Sequence, residues 1–132
     1  MSEGSYFGMN TTILAFIGDA AYEVRVRDHV LKSGTVRADS LHKAAVGYVR
    51  AEAQAKALRA LMPILTDEET ALVKRARNRK ITSKPKNADP VEYKLATAFE
   101  ALIGVHHLAG NIGRMEELIR LAIASIEEPE AL

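Results

Sequence analysis

Two carboxylates stand where a globular chain rarely leaves them. Asp19 follows Gly18 in the stretch LAFIGDAAYE, and from Ile13 to Val26 the only charged residues are Asp19, Glu23 and Arg25. Glu100 carries the only full charge between Leu95 and Leu108. Taking an unpaired carboxylate out of water costs several kcal/mol or more, so such a group neutralises, pairs with a base or binds a cation. On helices, Asp19 and Glu23 share one face by their i, i+4 spacing, and Thr97 and Glu100 share another by i, i+3. If the two segments pack together, two or three carboxylates converge with a hydroxyl between them. That set suits a hard divalent cation. Magnesium takes oxygen ligands, often only one or two carboxylates, and completes its shell with water and substrate phosphate. A salt bridge is the plain alternative for each acid, and Arg25, Arg27 or Lys94 offers one to Glu23.

Other chemistries find less support. The chain has no cysteine, which removes disulfides, thiolate zinc sites and thiol catalysis. No Glu-x-x-His pair of the di-metal bundle type occurs. His106 and His107 are adjacent, point to different faces of a helix and read as ordinary helix residues. Ser33, Ser40, Ser83 and Ser125 show no base partner for a nucleophilic triad, and no glycine-rich phosphate loop is present.

Positive charge is gathered rather than spread. The net charge is +1, yet KRARNRKITSKPK places Lys74, Arg75, Arg77, Arg79, Lys80, Lys84 and Lys86 in one acid-free segment, while the chain ends in the acidic IEEPEAL. Cations at a helix C-terminus offset its partial negative charge, but seven basic residues exceed what that effect requires. Arg and Lys contacts to phosphate dominate nucleic-acid affinity, and Asn78 and Thr82 can add hydrogen bonds to phosphate or sugar. The segment has no aromatic residue, so stacking on single strands is not indicated. Backbone recognition of a duplex, by shape, fits better. His42 and Lys43 are further candidate RNA contacts.

The elements that must position these groups are helical throughout. A chain of 132 residues is long enough for one domain with a real core. Residues 1–8 read as a flexible N-terminal tail and 9–132 as the domain. A first helix is expected from Asn10 to Lys32, with Gly34 as a left-handed stop. A helix capped by Asp39 or Ser40 follows, then one ending near Pro63. Thr66 and Glu69 form a capping box opening a helix toward Arg79. Asp89 and Pro90 open a second apolar helix that Gly110 ends, and a last amphipathic helix runs from Asn111. Sustained period-two alternation is absent. The fold class is an all-α, single-domain helical bundle in which the helices of Asp19 and Glu100 are central. No apolar run reaches a membrane span and the start lacks a signal peptide's pattern, so a cytoplasmic location without membrane attachment is expected.

Taken together, Ile17–Ala20 (IGDA), Leu41–Lys43 (LHK), Lys74–Asn78 (KRARN), Pro85–Asn87 (PKN) and Thr97–Gly104 (TAFEALIG) resemble, in this order, the motifs of the Mini-ribonuclease III family, a catalytic-domain-only branch of ribonuclease III. The resemblance spans about residues 10–127. It implies a homodimeric, magnesium-dependent endoribonuclease, with manganese as a substitute ion. Such an enzyme cuts double-stranded RNA to 5′-phosphate and 3′-hydroxyl ends and trims large-subunit ribosomal RNA precursors, with a ribosomal protein as a further partner. It also implies no appended double-stranded-RNA-binding domain. Asp19 matches the acid of the first motif and Glu100 the last acid of the second, so both are expected to hold the metal and carry catalysis, with Glu23 a further candidate ligand. Full-length relatives usually have acids where this chain has Ala15 and Thr97, replacements shared by Mini-ribonuclease III members. The second reading is a catalytically inactive ribonuclease III fold that binds RNA or the ribosome.

Overall fold

In the computed structural model, which describes residues 6–34, 37–80 and 85–129, helix α1 (Thr11–Lys32) begins where Asn10 Oδ1 accepts from the amides of Thr12 and Ile13. It ends before Gly34, whose φ of 98° is the left-handed value glycine adopts without strain. Helices α2 (Ala38–Val49) and α3 (Ala51–Leu61) are separated by a single extended residue, Arg50. A short 3-10 turn, Met62–Ile64, contains Pro63. The capping box of Thr66 and Glu69 then opens α4 (Asp67–Arg77), with both reciprocal hydrogen bonds formed. Asp89 caps α5 (Pro90–Ala109), and α6 (Ile112–Glu127) completes the order. No strand occurs among the described residues, and no helix among them is long and apolar enough to cross a membrane.

Helix α5 is the axis of the bundle. It packs against α1, α3, α4 and α6, and an unbroken run from Ala101 to His106 is buried. Tyr22 of α1 and Phe99 of α5 meet edge to face in the core, and the Tyr22 hydroxyl donates to the carbonyl of Tyr48. The sum is an all-α fold, as the sequence indicates.

Three expectations change. Helix α1 is not apolar-buried all round: Leu14, Ala15, Gly18, Ala21, Tyr22, Val26 and Val30 face the core, whereas Ile13, Phe16 and Val24 are exposed. Helix α2 starts earlier than expected, after Arg37, which makes no side-chain cap. Asp39 lies in the first turn instead, where its charge suits the helix N-terminus. The end of the expected tail is packed rather than loose, because Phe7 is buried and edges onto His106. Residues 1–5 lie outside the described residues.

Candidate metal centre

Two glycines decide where α1 and α5 touch. A Cβ on Gly18 would overlap the backbone carbonyl oxygen of Glu100, and one on Gly104 would overlap that of Leu14. The backbones therefore meet with no side chain between them. Asp19, next to Gly18, is thereby brought to Glu100. The two carboxylates lie close enough for the charge of Asp19 to act on Glu100, and Asp19 is exposed while Glu100 is half-buried. Burial pushes the Glu100 carboxyl up to about 8; the negative charge of Asp19 adds to the rise, and a hydrogen bond from Gln54 opposes it.

No basic side chain pairs with either acid among the described residues. An apposed pair of hard oxygen donors without a basic partner suits a divalent cation. No third acid or histidine joins the pair to make a larger cluster among the described residues. Two carboxylates still meet what magnesium asks of a protein, the remainder of its shell being water and phosphate.

Glu23, the further candidate ligand, has one oxygen buried without a hydrogen-bond partner. Its other oxygen accepts from Arg27 at 3.2 Å, the salt-bridge alternative for this residue, and the residue lines an apolar groove between α1 and α2 with Leu41 and His42. The Thr97 hydroxyl donates to the carbonyl of Tyr93 at 3.0 Å along its own helix. It does not supply the bridging group the spacing suggests.

The basic residues divide by what they already hold. Lys74, Arg79, Lys80 and Lys86 are exposed, as are His42 and Lys43 on α2. Arg79 and Lys80 sit beside Asn10, Thr12 and Ile13, at the opening turn of the helix that carries Asp19. Arg75 is different: its guanidinium donates to the carbonyls of Phe7 at 2.9 Å and Met9 at 2.8 Å. Arg77 bonds its neighbour Asn78, the C-cap of α4, at 3.3 Å. Thr82 and Lys84 lie outside the described residues.

Comparison with known proteins identifies the family. The Ribonuclease III domain model matches residues 12–111. The chain belongs to the ribonuclease III family. Membership makes it an endoribonuclease, an enzyme acting on RNA. Among its relatives, the Mini-ribonuclease 3 of Brevibacillus brevis is 50% identical over 118 residues, covering 89% of this chain and 88% of that one. The Mini-ribonuclease 3 of Enterococcus faecalis is 41% identical over 125 residues, covering 93% and 95%. A Fusobacterium nucleatum crystal structure superposes with a TM-score of 0.78 at 31% identity, covering 87% of this chain and 92% of that one.

Two features of this ribonuclease III chain escape the sequence reading. His106 is no ordinary helix residue: it is buried, and its Nε2 is 2.6 Å from Glu69 Oε2 while its Nδ1 faces the Asn111 amide. Burial alone would raise the Glu69 carboxyl. Hydrogen bonds from Arg114, the Thr66 amide and His106 instead hold it down at about 2. The other is Gln54, buried on α3 beside Glu100. The available signal was its register: Gln54 falls on the same stripe as Leu58 and Leu61, an amide where the helix otherwise presents apolar side chains.

Proposed function

We propose that this endoribonuclease cuts double-stranded RNA with the help of magnesium held by Asp19 and Glu100, that it works as a homodimer, and that its substrates include large-subunit ribosomal RNA precursors. The single observation that carries the reading is the carboxylate pair at the Gly18–Gly104 crossing, apposed and without a basic partner. When bound there, the ion supplies Lewis-acid polarisation of a phosphodiester and activation of a water.

The chain's own residues do the rest. Asp19, at the surface, meets incoming phosphate, and Glu100, beneath it, keeps the second ligand away from bulk water. Gly18 and Gly104 fix the spacing of the two. Lys74, Arg79, Lys80 and Lys86 are open to engage the phosphate backbone, and His42 and Lys43 are exposed on α2 for the same role. A water nucleophile leaves a 5′-phosphate and a 3′-hydroxyl, which accords with the lack of a serine–base pair in the sequence. Manganese, which takes the same oxygen ligands, substitutes. A cytoplasmic setting and a ribosomal protein partner are parts of the same proposal.

The test is incubation of a long RNA duplex with the protein in magnesium and in EDTA, alongside Asp19→Asn and Glu100→Gln. The parent should cut only with the ion, and both variants should bind the duplex without cutting it. Cleavage by either variant within a few-fold of the parent removes the metal-site assignment. Duplex binding without cleavage by the parent itself would favour the inactive-fold reading.

A further inference from the structure

Gln54 is the only glutamine in the chain, and its side chain is 2% exposed. Its Nε2 donates to the carbonyl of Val49 at 2.8 Å and reaches Glu100 Oε2 at 3.4 Å. Its Oε1 is buried with no hydrogen-bond partner. The amide cannot turn over to improve this, because Oε1 would then face the Val49 carbonyl, acceptor against acceptor. The bond to Val49 closes the end of α2 across the Arg50 break and needs only the nitrogen. Capping Val49 leaves Oε1 unused, and a buried acceptor without a donor is destabilising. The oxygen therefore has a use that capping does not explain.

Its surroundings narrow that use. The nearest ionisable group is Glu100, which shares its site with Asp19 and no base. What Oε1 lacks is a donor, and a divalent ion held by the pair keeps several waters, each a strengthened donor. Partners one layer out from the ligands orient those ligands and hold such waters.

We infer that Gln54 is a positioning residue of the metal site: its Nε2 fixes Glu100, and its Oε1 accepts a hydrogen bond from the hydration shell of the ion held by Asp19 and Glu100. This rests on the metal reading proposed above. Gln54 touches neither the ion nor the scissile phosphate.

The test reads magnesium binding directly, on RNA-free protein, by calorimetric titration of the parent, Gln54→Met, Gln54→Leu and Asp19→Asn. Loss of a partner of this kind weakens metal affinity about 10–100-fold, and that is the result expected for Gln54→Met and Gln54→Leu. KM for duplex RNA should stay at the parent value, and kcat should recover as magnesium is raised. A variant that melts earlier without metal yet binds magnesium like the parent shows Gln54 to be a cap alone and overturns the inference. Parent-like magnesium binding by Asp19→Asn would instead remove the metal reading beneath it. Where neither Gln54 variant folds, parent protein labelled with nitrogen-15 glutamine gives a single side-chain amide to follow. Its resonances must shift on magnesium titration, and unmoved resonances overturn the inference equally.

Discussion

Glu100 shows how one residue ties ionisation to stability. Its carboxyl ionises near pH 8 in the folded protein, against 4.5 without that environment, because burial and then Asp19 oppose its charge. Between those values the folded state binds more proton than the unfolded one, so stability of the metal-free protein falls as pH rises through that window. Thermal melts in EDTA should therefore lose temperature from pH 5 to pH 8. Glu100→Gln should flatten this loss, and Asp19→Asn should reduce it by removing the opposing charge. An undiminished loss in Glu100→Gln would contradict the assignment. The basic residues separate at the same scale. Arg79→Ala and Lys80→Ala should leave the melting temperature unchanged and lower the salt slope of duplex binding by roughly 0.9 for each lost phosphate contact, the B-DNA value. Arg75→Ala should do the reverse, lowering the melting temperature, since Arg75 ties α4 to the carbonyls of Phe7 and Met9. A salt slope unmoved by Arg79→Ala and Lys80→Ala reduces these residues to a solvated helix end. The sequence singles out Asp19 and Glu100 because a charge in an apolar run is conspicuous. It could not separate Arg75 from Arg79, since that depends on which carbonyls lie within reach.

At the scale of helices, the close crossing of α1 and α5 does the positioning. Helix starts at Asn10, Thr66 and Asp89 were legible because side-chain oxygens there cap amides a few residues on, a local rule. The α2 start was not legible: Arg37 precedes it with no side-chain cap, so nothing local marks the boundary. Nor did the sequence reveal why glycine stands at 18 and at 104. Each is the other helix's contact point, a relation set by residues more than eighty positions apart. Gly18→Ala should drive α1 and α5 apart, because its methyl would meet backbone rather than a side chain able to move. The expected outcome is a destabilised protein in which Asp19 and Glu100 no longer act together. Cleavage should fall well beyond the loss of folded fraction measured by circular dichroism under the same conditions. Activity falling only in proportion to folded protein would show that the crossing supports the fold without setting the site.

For the whole molecule, the apolar residues around Asp19 pose a different question from the one the sequence raises. Ala15, Tyr22 and Val26 are all buried within the protomer. The side left outside carries Ile13, Phe16, Ala20 and Val24, with Leu31 further along, spaced to lie on one face of α1. Phe16 is 77% exposed. Periodicity could not separate the two faces, because a helix covered by a second copy of its own chain is as apolar there as one covered by its own core. A two-fold contact through this face is self-complementary by symmetry. In the proposed homodimer such a contact would set two Asp19–Glu100 pairs in one particle, one for each strand of a duplex. The basic segments of the two protomers would then act together on one RNA, a gain lost when the subunits part. Phe16→Glu should accordingly give a folded monomer by light scattering, with duplex affinity reduced far more than twofold and double-strand cleavage lost. Ala20→Glu, one turn along the same face, should do likewise, whereas Arg120→Glu on α6 should leave the dimer intact. A Phe16→Glu protein that stays dimeric moves the interface off α1, and an active monomer ends the requirement for a pair.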